Sequence, residues 1–304
     1  VTSPNVLAVI GPTAAGKSDL AVELALRLGG EAVNADSMQF YRGMDIGTAK
    51  LSLAEMRGVP HHLLDMWDVT VTATVAEFQR LSAGAIDEIH GRGRIPVLVG
   101  GSGLYVRAAL DHLEFPGTDP AVRARLEEEL AAEGTGVLYE RLKRQDPKAA
   151  DAILPSNGRR IVRALEVIEI TGRPFTATMP ERRYRYDAAQ IGLTVPRPEL
   201  DERITLRVDR MWDAGLVDEV RKLEGEGLRD GLTAGRALGY AQVLRFLAGE
   251  WTEEQAKEET VRATRRFARR QESWFRRDPR VHWLPYDAPD LADRALEAVE
   301  RSGR

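Results

Sequence analysis

The first hundred residues alternate short apolar runs with amphipathic stretches, the rhythm of a buried parallel sheet connected by helices. Val6-Leu7-Ala8-Val9-Ile10 is unbroken and apolar, so Asn5 to Ile10 is expected as a strand. From Ser18 to Leu28 the apolar residues recur at Leu20, Ala21, Leu24, Ala25 and Leu28, a helical period that Gly29-Gly30 ends. A short strand follows over Glu31 to Asn34, then a helix over Thr74 to His90 with Val75, Phe78, Leu81, Ala85, Ile86 and Ile89 in phase. Ile95-Pro96-Val97-Leu98-Val99 reads as another buried strand. Around Phe115-Pro116-Gly117 the alternation stops. From Asp119 to about Met179 the patterns are helical: Pro120 to Ala132, Gly136 to Arg144, Lys148 to Ile153 and Gly158 to Ile170. Strand character returns at Gln190 to Val195 and around Val281 to Leu284, and the remainder is helical. The expected fold class is α/β, a parallel sheet with helices on both faces and an inserted all-helical domain. The expected boundaries are 1–115 and 188–304 for the core and 116–187 for the insertion.

The turn between the first strand and helix is Gly11-Pro12-Thr13-Ala14-Ala15-Gly16-Lys17-Ser18. It carries the pattern G-x-x-x-x-G-K-[ST] in the strand–loop–helix setting that the pattern requires, which makes the core P-loop NTPase-like. Glycines let the backbone fold around an anion so that N–H groups point inward at a helix N-terminus. Lys17 adds a positive charge, and the Ser18 hydroxyl is placed to ligate Mg2+. A pyrophosphate group is the expected ligand. Asp36-Ser37-Met38-Gln39 leaves the second strand at its carboxyl end, the edge where open α/β sheets carry their sites. From spacing alone, Asp36 is either a helix N-cap or a catalytic carboxylate. Gly100-Gly101-Ser102-Gly103 forms a second glycine-rich turn at that edge. His61-His62 is read as structural, because neighbours in sequence point to different sides and no third ligand lies nearby. Asp65 resembles the acidic end of a second magnesium-binding strand.

Composition narrows the function classes. The 304 residues are 43% hydrophobic and 30% charged, as in soluble globular proteins. No apolar run reaches the ~18 residues of a membrane-spanning helix, and the N-terminus lacks a signal-peptide pattern, so the cytoplasm is the expected location and no membrane partner is expected. Zero cysteines exclude disulfides, cysteine-ligated zinc and thiol nucleophiles within these residues. The net charge of −4 conceals a segregated distribution. Arg262 to Arg277 contains seven arginines and one acid, with Val261, Phe267, Ala268, Gln271, Trp274 and Phe275 able to face the core of one helix. Smaller basic clusters occur at Arg159, Arg160 and Arg163, and at Arg182, Arg183 and Arg185 beside Tyr184 and Tyr186. Such segregation suits a phosphate backbone, and nucleic acid is the expected partner.

Taken with the phosphate loop, the segments 36–41, 46–50, 60–63, 100–105, 160–165, 238–240 and 264–271 resemble, in order, the tRNA dimethylallyltransferases of bacterial type. Eukaryotic members add a zinc finger, which a cysteine-free chain cannot build. The resemblance implies transfer of a dimethylallyl group from dimethylallyl diphosphate to N6 of adenosine 37 beside the tRNA anticodon, with the base flipped out of its stack. It assigns Asp36 as general base, with Lys17 and Ser102 also catalytic, and gives Gly11 to Ser18 and Arg207 to the diphosphate. It gives Asp36, Ser37, Met38, Gln39, Ser102, Arg123, Arg159, Arg160, Arg163, Arg265, Arg266, Arg269 and Arg270 to tRNA. Ser102 stands where the family usually has threonine, and Leu51 where proline is expected. A monomer is expected. The competing readings are a phosphate-loop small-molecule kinase, which leaves the arginine clusters without a purpose, and a non-catalytic RNA-binding protein, which leaves Asp36 without one.

Overall fold

The computed structural model describes residues 4–175 and 181–302; the last residues of the helical stretch read to Met179 lie outside them. Two compact units emerge, one formed by 1–112 with 184–304 and the other by Leu113–Arg183.

The larger unit is built on six parallel strands: β1 (Val6–Ile10), β2 (Glu31–Asn34), β3 (His61–His62), β4 (Pro96–Gly100), β5 (Ala188–Thr194) and β6 (Val281–Pro285). Their spatial order is β3-β2-β4-β1-β5-β6. Register is fixed by pairs such as Ala8 with Leu98 and Gln190, and Val33 with Leu98. β1 and β2 are buried along their whole length, which explains their continuous rather than alternating apolar pattern. Because β4 lies between β1 and β2, the chain segments leaving all three emerge side by side at one edge. The phosphate loop, Asp36 and the second glycine-rich turn are those segments.

Helices α1 (Lys17–Leu28) and α2 (Val75–Gly91) fall close to where the periodicity put them, and α3 (Gly103–Leu110) starts at the second glycine-rich turn. The Thr74 side chain accepts from the Glu77 N–H and starts α2, and Gly29 in the left-handed region stops α1. In the smaller unit, α4 (Pro120–Gln145) is interrupted at Gly134, whose φ of 82° and ψ of 172° are not helical. The two helices read there from sequence therefore follow one another across a break. With α5 (Pro147–Asp151) and α6 (Gly158–Thr171), α4 encloses a core that includes Leu126, Leu138, Leu142, Ile153, Ile161 and Leu165.

After β5 the larger unit adds α7 (Arg197–Asp213), α8 (Leu216–Gly225), α9 (Tyr240–Leu247), α10 (Glu253–Phe275) and α11 (Leu291–Ser302). α10 is the arginine-rich helix, and it buries Ala256, Thr260, Ala263, Ala268, Gln271 and Phe275 on one side. The two-residue strand β3 was not expected from the sequence, since a histidine pair has no strand signature. It forms because β2 offers a free edge, and His62 meets the buried Glu31 carboxylate at 2.6 Å.

Candidate active site

The phosphate loop leaves β1 through Gly11, at φ 143°, and enters α1 through Gly16, at φ 86°. Both angles lie where only glycine is unstrained. Ala14 is also left-handed, at φ 63°. A Cβ on Gly11 would lie 3.0 Å from the Leu193 carbonyl oxygen, so the loop rests against β5. No side chain caps α1 at Gly16, which leaves its first-turn N–H groups available to an anion. Lys17 Nζ donates to the Pro12 carbonyl at 2.7 Å across the loop. Burial pushes its pKa down to about 8, with the Arg207 charge adding to the effect and Asp36 opposing it.

Beside the loop lies a cavity of about 980 Å³ whose lining includes Lys17, Ser18, Asp65 and one face of α7. That face carries Arg203, Arg207 and Arg210, four and three positions apart, so the helical repeat points all three the same way. Arg203 Nε donates to the Ala14 carbonyl at 2.8 Å, and its guanidinium lies over the Tyr286 ring at 4.6 Å. Arg207 is half-buried and donates to the Thr48 carbonyl at 3.2 Å; burial lowers its pKa and the Asp36 charge opposes this. Sequence reading singled out Arg207 but missed Arg203 and Arg210, although their spacing was a usable signal. Leu206 and Leu53, 50% and 86% exposed, supply apolar wall at the same cavity. Asp65 reaches the cavity, but its carboxylate accepts from Lys50 Nζ at 2.6 Å, and Lys50 also meets Asp45 at 2.5 Å. Among the described residues no group of three or more His, Cys, Asp or Glu could hold a metal ion.

Asp36 follows β2 and is held from both sides. Its N–H donates to Asn34 Oδ1 at 2.9 Å, and Asn34 Nδ2 donates back to its carbonyl at 3.0 Å. Asp36 Oδ1 accepts from the Met38 N–H at 3.0 Å and closes a turn; no helix follows, so the N-cap alternative does not hold. One carboxylate oxygen fixes the turn and the other retains its acceptor capacity. Gln39 Nε2 donates to the Thr48 carbonyl at 3.2 Å. Ser102 is the N-cap residue of α3, yet its hydroxyl makes no capping bond. Tyr105, in the first turn of α3, packs at a tilt against the Phe40 and Phe78 rings; burial, with the charges of Tyr41 and Asp36, pushes its phenol up to about 12.

The arginines divide into two groups. In the smaller unit Arg123 and Arg163 both bind the buried Glu166 carboxylate, and Arg163 also donates to the carbonyls of Pro116 and Gly117. These two hold the unit together, whereas Arg159 and Arg160 are exposed. On α10, Arg265 Nη2 donates to the Asp201 carbonyl at 3.2 Å and to Thr205 Oγ1 at 2.8 Å, which ties α10 to α7. Arg266 pairs with Glu259 at 2.6 Å, and Arg269 and Arg270 are exposed.

A parallel sheet whose carboxyl edge carries the loop 11–18 and Asp36, beside a cavity walled by Arg203, Arg207 and Arg210 of α7, defines an α/β protein with a P-loop-like fold. Residues 39–278 match the model of the IPP transferase family. The chain belongs to that family. It is 75% identical over 300 residues to the tRNA dimethylallyltransferase of Thermobifida fusca, covering 97% of this chain and 94% of the relative. The tRNA dimethylallyltransferase of Streptomyces coelicolor is 70% identical over 302 residues, covering 98% and 97%. Among solved structures, the tRNA isopentenylpyrophosphate transferase of Bacillus halodurans superimposes with a TM-score of 0.73 at 42% identity, over 99% of this chain and 98% of that one. A eukaryotic dimethylallyltransferase acting on tRNA superimposes with a TM-score of 0.83 at 27% identity, over 99% and 78%.

Proposed function

We propose that this chain transfers the dimethylallyl group of dimethylallyl diphosphate to N6 of adenosine 37 in tRNA and releases diphosphate. The observation that supports this reading is that the segments leaving β1 and β2, with β4 between them, bring the phosphate loop and Asp36 out at one edge of the sheet, where Lys17 and Arg207 line the same cavity. A base and an anion site are thereby set beside one another, as a transfer from a diphosphate to an amine requires.

The bond between the allylic carbon and the bridging oxygen breaks, and its electron pair leaves on the diphosphate. The α1 N-terminus, Lys17 and Arg207 stabilise that developing charge. The N6 lone pair forms the new carbon–nitrogen bond, and the N6 proton passes to the free oxygen of Asp36, a step worth about 10²–10⁴-fold. Gln39, on the same segment after β2 as Asp36, and Ser102, on the segment leaving the adjacent β4, orient the base. The cavity's Leu206 and Leu53 offer apolar surface to the prenyl chain. Magnesium fits the oxygen donor at Ser18, because an ion that takes most of its ligands from phosphate and water needs no protein cage. When bound it would neutralise charge on the leaving diphosphate. Arg159, Arg160, Arg266, Arg269 and Arg270 are the exposed arginines offered to the tRNA backbone. We place the protein in the cytoplasm as a monomer. The kinase alternative is not favoured, since the family is one of IPP transferases.

The test is incubation with magnesium, unmodified tRNA with an adenosine-rich anticodon loop, and radiolabelled dimethylallyl diphosphate, beside an Asp36→Ala variant. Label in tRNA with the wild type and little with the variant is expected. Label with neither, together with ATP turnover on a small acceptor, would replace the transferase reading by the kinase.

A further inference from the structure

The loop Asp45-Ile46-Gly47-Thr48 is gripped by one carboxylate from another part of the chain. Glu219, on α8, accepts three consecutive backbone N–H groups: Asp45 at 3.1 Å and Ile46 at 2.7 Å on Oε2, and Gly47 at 3.1 Å on Oε1. Its Oε1 also accepts the Tyr240 hydroxyl at 2.5 Å. Tyr240 opens α9 and is fully buried. Burial and the neighbouring Glu219 charge push its phenol up, so it stays protonated and acts as a donor. The fit leaves no slack: a Cβ on Gly47 would lie 2.4 Å from Tyr240 Cε2. A carboxylate accepting several N–H groups is a strong, directional anchor.

The next residue shows what the anchor is for. The Thr48 carbonyl accepts from Gln39 Nε2 and from Arg207 Nη2, both at 3.2 Å. One backbone oxygen therefore orients the side chain assigned above to the base and the side chain assigned to the diphosphate. Thr48 is itself pinned, its hydroxyl donating to the Met44 carbonyl at 2.6 Å. We propose that Glu219 and Tyr240 are positioning residues for the transfer, which set the Thr48 carbonyl and through it hold Gln39 and Arg207 in register with each other. The inference rests on the function proposed above. Neither residue touches a reacting atom. Glu219 lies in none of the segments that carry the resemblance, and Tyr240 lies in one, 238–240, but had no role assigned.

Glu219→Gln replaces one acceptor oxygen by an amide that faces backbone N–H groups, and Tyr240→Phe removes one donor only. For Glu219→Gln the expected result is a rise of about tenfold in KM for both dimethylallyl diphosphate and tRNA, with kcat lowered less. For Tyr240→Phe the expected rise is a few-fold. Hydrogen exchange at the amides of Asp45, Ile46 and Gly47 should accelerate while the amides of β1 and β4 stay protected. In a Gln39→Leu background, Glu219→Gln should raise the tRNA KM no further. A folded Glu219→Gln protein with both KM values unchanged overturns the proposal, as does a uniform loss of stability without any KM effect. If the wild type transfers no prenyl group to tRNA, the function is wrong. If it does and the variants match it, only the positioning role is wrong.

Discussion

Gln271 Oε1 accepts the backbone N–H of Thr13 at 2.9 Å, so a side chain of the arginine-rich helix closes the phosphate loop. Its Nε2 donates to the Gly101 carbonyl at 3.0 Å, and the same amide therefore bridges the two glycine-rich turns. The glycines answer to this helix: a Cβ on Gly101 would lie 2.2 Å from Gln271 Nε2, and one on Gly103 would lie 1.9 Å from Trp274 Cδ1. Both turns are thus shaped by α10 as much as by any phosphate.

Replacing Gln271 by leucine keeps the volume but leaves the buried Gly101 carbonyl without its partner, at about 1–3 kcal/mol, and frees the partly buried Thr13 N–H at a smaller cost. Urea unfolding should show that loss, and titration calorimetry should show weaker binding of inorganic pyrophosphate at magnesium saturation. Gly103→Ala should displace the Trp274 ring and lower activity while leaving pyrophosphate binding closer to wild type, because the clash falls on the Ser102 turn. Equal loss of pyrophosphate binding in both variants would contradict this division.

The phosphate loop, the strands around it and the core-facing side of α10 were legible in the sequence, because each is written in local spacing. Gln271 could be read as inward-facing from its phase with Ala268 and Phe275, but not as the partner of Thr13, from which 258 positions separate it. Asp36 could be read only as cap or base, because an Asp after a strand carries the same local signal in both; the structure shows a turn rather than a helix after it, with one oxygen bonded to the Met38 N–H. Lys50, Arg203 and Glu219 went unassigned because their roles depend on which loops the sheet brings together. Arg123, Arg163 and Arg265 look like surface cations in sequence, and only tertiary structure reveals Glu166, Asp201 and Thr205 as their partners.

Lys17 should impose a pH limit on diphosphate binding. Its pKa is lowered to about 8, chiefly by burial, and the ammonium form is the one that attracts the anion. Affinity of the free protein for dimethylallyl diphosphate should therefore hold below that value and fall as pH rises through it, approaching tenfold per pH unit. Lys17→Met should bind more weakly and lose this dependence, while Lys17→Arg should carry its charge through the same range. Calorimetric titration from neutral to alkaline pH checks it. A wild-type affinity that stays flat through this range would remove Lys17 from the anion site.

Glu31 gives a stability prediction of opposite sign. Its side chain is 3% exposed and bonds to Arg92 and His62, with Arg94 at 3.3 Å; the Arg92 hydrogen bond chiefly holds its pKa down at about 2. A depressed carboxylate stabilises the fold above its ordinary pKa near 4.5, and that contribution is lost as pH falls toward 2. Glu31→Gln should cost about 1–3 kcal/mol near neutrality, since its half-exposed arginine partners can return to water. Denaturant midpoints of variant and wild type should converge as the pH is taken down through this window. A constant gap would mean that the loss is one of packing, not of charge.

Arg265 and the exposed pair Arg269 and Arg270 sit on one helix but should fail in different ways. Arg265→Ala removes the donor to the Asp201 carbonyl and Thr205, so it should lower stability by about 1–3 kcal/mol while changing tRNA affinity little. Arg269→Ala with Arg270→Ala removes two exposed charges, so unfolding should be nearly unaffected and tRNA binding weakened. Its salt dependence should flatten by about 0.7–0.9 in the slope of log affinity against log salt for each phosphate that is no longer neutralised. Filter binding across a salt series, paired with urea unfolding, separates the two. If Arg265→Ala flattens the slope as the double variant does, Arg265 leaves Thr205 to meet the tRNA, and the basic face is wider than the free protein displays. If neither flattens it, the tRNA backbone is gripped elsewhere, and Arg159 and Arg160 become the next residues to change.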